Sequence, residues 1–288
     1  MRSLQTDGPL RRLKGWSHPT SFKPMLIATD VDGTLVPNGA PGVGERSAAV
    51  LARADRAGVP VVFVTARPLR WMEHLWPHVG RHGRAIVSNG AVLYDVPSRS
   101  VVRLEGIESV AGLEIVAAIR EELPGATFAI ECLDGIRVEP DYDSPHELLD
   151  DTPRGGLEQV WDTTALKLLV RHDRARTTEP EAFHRQVSDA VGDAAVCTWS
   201  MSGLVEISAP GVTKSSALRW LAAELGIDRD DVVAFGDMPN DVPMLRWAAT
   251  SYAVAGAHPE AVAAADHRAP SCEQDGVAVV IEALLDAR

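Results

Sequence analysis

Four short stretches of the chain are apolar at nearly every position: MLIAT at 25 to 29, VPVVFVT at 59 to 65, AIVS at 85 to 88 and VVAF at 232 to 235. None alternates apolar with polar residues. Continuous runs of this length suit strands covered on both faces, as in a parallel sheet. Between the first two runs, GERSAAVLARADRAG sets Val50, Leu51, Ala54 and Ala57 on one helical face, and Gly58 supplies a left-handed stop. Between the second and third, Leu69, Met72, Leu75 and Trp76 recur at helical spacing and predict a second helix. Strand and helix in alternation predict a doubly wound α/β core with a parallel, Rossmann-like sheet.

After Ala91 the rhythm changes. A helix is expected from about 107 to 123, followed by ATFAIEC and GIRVEP joined through Leu133, Asp134 and Gly135. ALKLLVRH, a helix near 179 to 191, and the pair AAVCTWS and GLVEIS complete the segment. Hairpins with helices predict an α+β unit carrying its own antiparallel sheet, a cap over residues 92 to 203. The first rhythm then resumes with a helix after Thr213, the VVAF strand and helical segments near 241 to 248 and 258 to 266. The expected division is therefore a core of 23 to 91 and 204 to 288 interrupted by the cap. The cleft between them is the default ligand site. Residues 1 to 22 carry Arg2, Arg11, Arg12 and Lys14 with no apolar stretch behind them, and are expected to be a flexible extension.

Composition narrows the class. With 45% hydrophobic and 24% charged residues the chain resembles an ordinary globular protein, and it contains no run of 18 apolar residues that would span a bilayer. The formal net charge of -12 disfavours nucleic acid and anionic membrane surfaces as partners. Cys132, Cys197 and Cys272 are far apart and form no CxxC pair, which points to the reducing cytoplasm. The oligomeric state is not set by the sequence.

In an open α/β sheet, ligands meet the loops beyond the C-terminal ends of the strands. Asp30 and Asp32 stand at such an end, and their spacing in extended backbone points both carboxylates the same way. Like charges held together need a cation or a proton between them. Asp-Gly alone is an ordinary turn pair, but three further features occupy corresponding positions. Thr65 ends the second strand. Lys214 follows the expected N-cap Thr213, where the helix dipole disfavours a cation unless an anion is shared with it. Asp237, Asn240 and Asp241 follow the VVAF strand and offer clustered oxygen ligands suited to Mg²⁺. Together they imply phosphoryl chemistry on a small phosphate ester. Asp30 would attack phosphorus to form an aspartyl-phosphate, Asp32 would act as acid and then base, and Thr65 and Lys214 would hold the transferring oxygens.

These motifs, DVDGTL, VTAR, TKSSAL and GDMPND in that order, resemble the haloacid dehalogenase-like phosphatase superfamily, in particular its Cof-type hydrolases with a late-inserted cap. SNGA at 88 to 91 and AHPEAV at 257 to 262 resemble further Cof-type signatures. The resemblance implies that Asp30 is nucleophile and metal ligand, and that Asp32 is acid/base and contributes its backbone carbonyl to the metal. It also implies that Asp237 is the third ligand, with Asp241 supporting it. Val31, Thr65, Ala66, Lys214 and Asn240 match phosphate-contacting positions. Gly256 and Cys272, where relatives often have asparagine, and Ser215, where they often have glycine, depart from the pattern and bear on rate and substrate preference.

Other features point less sharply. His74, His78 and His82 are close in sequence, but Pro77 interrupts them and no tetrahedral ligand set is completed, so they are expected at the surface. The acidic stretch from 139 to 151 lacks the glycine bend of a calcium loop and is expected to be solvated. Trp161 and Trp199 are expected to pack within the cap rather than stack on a ligand. Three rivals to a phosphatase are a phosphomutase of the same superfamily, a signalling receiver, and a sugar-phosphate-binding module without catalysis. The long insertion argues against the second, and Asp32 against the third, since binding alone needs no acid/base.

Overall fold

The computed structural model describes residues 25–172 and 180–287; the extension expected over 1 to 22 lies outside them. Thirteen strands follow one another along the described chain. The first five are β1 (Leu26–Thr29), β2 (Val61–Val64), β3 (Arg84–Val87), β4 (Val92–Asp95) and β5 (Ser100–Leu104). Next come β6 (Thr127–Cys132), β7 (Gly135–Val138), β8 (Lys167–Arg171), β9 (Val196–Thr198) and β10 (Val205–Ser208). The last are β11 (Val232–Gly236), β12 (Thr250–Val254) and β13 (His267–Ala269).

The larger sheet has eight strands in the order β13-β12-β11-β1-β2-β3-β4-β5. Its strands are parallel from β13 to β3, and β4 and β5 continue it antiparallel. The chain winds outward from β1 through β2 to β3, then returns on the other side through β11, so β1 and β11 flank the topological switch point. Successive residues of the expected strands serve opposite layers. Ile27, Phe63, Val233 and Phe235 enter one apolar cluster, to which α1 (Glu45–Arg56) contributes Val50 and Leu51. Leu26, Ala28, Val62, Val64 and Ala234 enter the other, against later helices of the core. Burial on both faces is the reason these runs do not alternate.

The second sheet is antiparallel, five strands in the order β7-β6-β8-β10-β9. Two helices, α2 (Ser109–Glu122) and α4 (Pro180–Val191), pack on one face, their Ile115, Val116, Ile119 and Val187 meeting Phe128, Leu168 and Val170. The short α3 (Leu157–Val160) leads into Trp161, which is buried with its ring over Gly112 of α2. The core closes with α5 (Lys214–Glu224), α6 (Val242–Trp247), α7 (Pro259–Ala264) and α8 (Gly276–Asp286).

Two expectations change. The pattern from Leu69 to Trp76 forms 3₁₀ turns, Leu69–Trp71 and Glu73–His78, instead of a regular α-helix. Pro77 lacks the N–H that an α-helical turn would bond to the carbonyl of Glu73, so the apolar spacing is met by 3₁₀ turns. The cap boundaries also move. Residues 92 to 104 form β4 and β5 on the large sheet, and β10 keeps Val205–Ser208 in the small one. Val92, Leu93 and Tyr94 are buried against the core, so this hairpin extends the first sheet before the chain leaves it.

Of the tryptophans expected to pack in the cap, Trp199 stacks on His184, with ring centroids 4.2 Å apart. His184 is buried, and neither ring nitrogen has a hydrogen-bond partner among the described residues. Burial, with His258 nearby, pushes its pKa down to about 4. The ring is therefore neutral in the folded chain, while an unfolded histidine takes up a proton below about 6.5. Stability is lost as pH falls from about 6.5 towards the folded value, because the unfolded state binds more protons over that interval. His184→Phe should flatten this limb, removing a pH-dependent loss of about 3 kcal/mol at most; denaturant midpoints of both proteins between pH 7 and 4 measure it.

Candidate active site

The C-terminal ends of β11, β1 and β2 lie side by side, and each delivers one expected residue: Asp237, Asp30 and Thr65. Beyond β1 the chain turns sharply, with the amides of Leu35 and Val36 both bonded to the carbonyl of Val31. Gly33 has φ of 73°, and a Cβ on it would lie 2.6 Å from Oδ2 of Asp237. The glycine of DVDGT therefore lets the turn meet the neighbouring strand's carboxylate, which also accepts a 2.7 Å hydrogen bond from the hydroxyl of Thr34.

Lys214 crosses to this cluster from the first turn of α5. Thr213 caps the helix through a reciprocal pair with Ser216, as expected for the N-cap. Gly90 of the SNGA turn lies under it, at a place where any Cβ would collide with the Thr213 carbonyl. The fully buried Nζ of Lys214 donates to Oδ1 of Asp30 at 2.5 Å and to Oδ1 of Asp241 at 2.7 Å. The shared anions that offset its place at the helix N-terminus are thus protein carboxylates. The other oxygen of Asp241 accepts the amides of Asp237 and Met238, both at 3.0 Å.

One carboxylate oxygen from each of Asp30, Asp237 and Asp241 lies within 4.8 Å of the others, the one such group of metal-ligating side chains among the described residues. Three carboxylates face a single buried lysine. Burial raises Asp30 well above its ordinary value, with Lys214 opposing and the other three aspartates adding to the rise. Burial and Asp241 push Asp237 up to about 7. Burial opposes the charge of Lys214, but Asp241 and Asp30 outweigh it and hold its pKa above the usual value. A hard divalent cation fits this donor set, since oxygen ligands and excess negative charge are what it requires. The two oxygens of Asp241 are occupied by Lys214 and by backbone amides, which leaves Asp30 and Asp237 the freer donors.

The second carboxylate of the motif faces elsewhere. Asp32 is held by Arg67 in a two-pronged pair, Nε to Oδ2 at 2.9 Å and a terminal nitrogen to Oδ1 at 2.6 Å. Arg67 follows directly on the VTA segment but was not singled out by its sequence, because an arginine after a strand is an ordinary surface residue. Thr65 is buried and its hydroxyl oxygen accepts the amide of Arg67 at 3.0 Å. Val31 is fully buried, and Ala66 and Asn240 line a cavity of about 720 Å³ between core and cap, as do Asp30 and Asp32.

The cap roofs this cavity with its helix-free face, where Tyr142, Leu169 and Leu204 form an apolar patch. Two cap charges lie inside apolar strands, Lys167 in ALKLLV and Glu206 in LVEIS, and both are buried as an ion pair. A charged residue inside an apolar run was the signal in the sequence that went unused. The acidic stretch from 139 to 151 is not simply solvated: Glu139 is buried against Arg120, and Tyr142 and His146 line the cavity. His82 is taken up by the carbonyl of Val61 and the amide of Arg84. Cys272 borders the aspartates. Burial, with Glu273 and Asp237 nearby, pushes its thiol up to about 12, so it is a neutral neighbour.

Comparison with known proteins gives this arrangement its class. A model of the haloacid dehalogenase-like hydrolase family matches residues 27–281, and the chain belongs to that family. It is 41% identical over 101 residues to the 5-amino-6-(5-phospho-D-ribitylamino)uracil phosphatase YbjI of Escherichia coli (strain K12), a match covering 35% of this chain and 37% of that protein. It is 26% identical over 252 residues to the pyridoxal phosphate phosphatase YbhA of the same strain, covering 81% of this chain and 88% of that one. The chain spans 47% of the length of a further curated relative, so the first matches reach less than half of those proteins. The crystal structure of SMU.1108c from Streptococcus mutans UA159 shares the fold at a TM-score of 0.78 with 22% identity, over 91% of this chain and 99% of that one. No helix among the described residues is long and apolar enough to cross a membrane.

Among the described residues Lys214 is the one cation bonded to both Asp30 and Asp241, and its removal leaves these two buried carboxylates without that partner. Lys214→Met should destabilise the folded chain by about 3–5 kcal/mol at neutral pH. Asp30 has a folded pKa above its unfolded value, so this loss grows as pH rises from about 4 and shrinks as the carboxylate takes up its proton. Chemical denaturation of both proteins at pH 5 and pH 8 tests the size and the sign.

Proposed function

We propose that this chain is a Mg²⁺-dependent phosphatase that hydrolyses a small phosphorylated metabolite through an aspartyl-phosphate on Asp30. The observation that carries this reading is the placement of Asp30, on the cavity wall, bonded to Lys214 and beside Asp237 and Asp241. Family membership and the phosphatase names of YbjI and YbhA support it.

Asp30 and Asp237, with the backbone carbonyl of Asp32, would hold the metal ion, and Asp241 would brace Lys214 and the turn after β11. When bound, Mg²⁺ offsets the charge of the carboxylates and of the phosphate. Asp30 then forms a bond to phosphorus as the bond to the leaving oxygen breaks, and Asp32 supplies the proton that this oxygen takes up. In the second half, Asp32 accepts a proton from water, whose oxygen displaces Asp30 and releases inorganic phosphate. Thr65, Lys214, Asn240 and the backbone at Val31 and Ala66 would hold the equatorial oxygens. Arg67 holds Asp32 on the cavity wall, and Asp32 would leave that pair to protonate the leaving oxygen during turnover. A phosphomutase would pass the phosphoryl group to a second hydroxyl instead of water, and would require a bisphosphate activator.

Asp30→Asn should lower p-nitrophenyl phosphate hydrolysis by roughly 10³-fold or more, and chelation of divalent cations should abolish it reversibly. Full turnover in either case overturns the reading. A panel of phosphorylated metabolites, sugar phosphates included, assayed for phosphate release with and without a bisphosphate separates phosphatase from mutase. Arg67→Lys keeps the charge but loses the fork, and should lower kcat about tenfold with little change in the thermal midpoint; steady-state kinetics beside a melting curve checks this.

A further inference from the structure

A directional chain of hydrogen bonds runs from the cap into the expected phosphate site. Lys167 and Glu206, neighbours on β8 and β10, form a buried ion pair, and Nζ of Lys167 also donates to the carbonyl of Ala66 in the core at 2.9 Å. Glu206 accepts Nδ2 of Asn89 at 3.3 Å, and Oδ1 of Asn89 accepts Nδ2 of Asn240 at 3.0 Å. Each link constrains the next. A carboxylate beside a lysine only accepts, so Asn89 must present its NH₂ to the cap and its oxygen to the core. Asn240 must then present its NH₂ as well, and its own oxygen is left buried without a partner. Burial opposes ionisation of Glu206, but the charge and hydrogen bond of Lys167 outweigh it, so its pKa lies below the ordinary value and it remains an acceptor.

The backbone makes the same point. Ser88, Asn89 and Gly90 have φ of 50°, 57° and 102°, three consecutive left-handed residues in the SNGA turn. Such strain persists only where surrounding contacts hold it. Here it places the Asn89 amide between the two domains. Arg70 adds a second tie between them by pairing with Glu131 of β6.

We propose that Glu206 and Asn89 are positioning residues, a cap-borne carboxylate and a core amide that together engage one N–H of the Asn240 side chain and leave its second N–H, on the cavity wall, for the transferring phosphate. This inference rests on the phosphatase reading above. The donor set is complete only with the cap closed on the core, because the acceptor that orients both amides is carried by the cap. Lys167 fastens the other side by holding the Ala66 carbonyl.

Inorganic phosphate, measured by calorimetry in the presence of Mg²⁺, is the probe. Asn240→Ala should weaken its binding about tenfold or more, the size expected for a hydrogen bond to a charged group. Asn89→Gly accepts the left-handed backbone and should produce a similar loss. The pair of substitutions should cost no more than Asn240→Ala alone, because both act through one donor. The double variant Lys167→Met with Glu206→Leu replaces the buried pair by apolar groups, avoids a lone buried charge, and should show the same non-additivity with Asn240→Ala. Losses that multiply overturn the positioning role and leave the phosphatase reading intact. Wild-type protein that binds no phosphate overturns both.

Discussion

The site is organised around a cation enclosed by carboxylates. Lys214 is fully buried at the start of a helix, where the backbone dipole opposes it, and it is held there by Asp30 and Asp241. Each partner belongs to a different element: Asp30 ends β1, Asp241 follows β11 and Lys214 opens α5. The ion pairs therefore join three parts of the core at one point. The surrounding backbone is shaped to allow this, through the glycine that clears Asp237 and the glycine under the cap of α5. Three carboxylates still exceed one lysine. The remaining negative charge makes a divalent cation a natural occupant.

The cap meets this polar floor with a different surface. Its helix-free face combines an apolar patch at Tyr142, Leu169 and Leu204 with buried charges at Glu131, Lys167 and Glu206. The charges are directed at core groups, the side chains of Arg70 and Asn89 and the carbonyl of Ala66. Buried ion pairs contribute little to stability compared with well-packed apolar groups, but they define geometry strictly because each unpaired alternative is costly. An apolar interface would hold the domains without direction; these contacts tie named groups of the cap to named groups of the core. Enclosure of the cavity follows from these contacts, and the proposed orientation of Asn240 would follow from them too.

Much of this was legible from pattern. The runs at 25 to 29, 59 to 65, 85 to 88 and 232 to 235 became β1, β2, β3 and β11, adjacent strands as their continuous burial required. The hairpin across Leu133 and Asp134 formed in the expected place, as did the helix capped by Thr213. The failures have physical causes. The apolar spacing from Leu69 to Trp76 promised a helix, but Pro77 overrode it with 3₁₀ turns. The hairpin from 92 to 104 was assigned to the insertion because antiparallel pattern says nothing of which sheet a strand extends. The strands β12 and β13 were missed, being short and flanked by stronger helical signals.

The order and spacing of chemically committed residues were determined by the sequence alone. Two carboxylates after an apolar run, a hydroxyl after the next, a lysine inside a helix cap and a second acidic turn report on local backbone, and local backbone is set by neighbours in the chain. Which of these groups touch was decided only by tertiary structure. Asp30 meets Lys214 across 184 positions, while Asp32, two residues away, turns to Arg67. Asn89, Lys167 and Glu206 acquire meaning only when strands from two domains bring them together. Hydrogen bonds and ion pairs act over a few ångströms, and distances of that kind between remote residues exist only once the chain has folded.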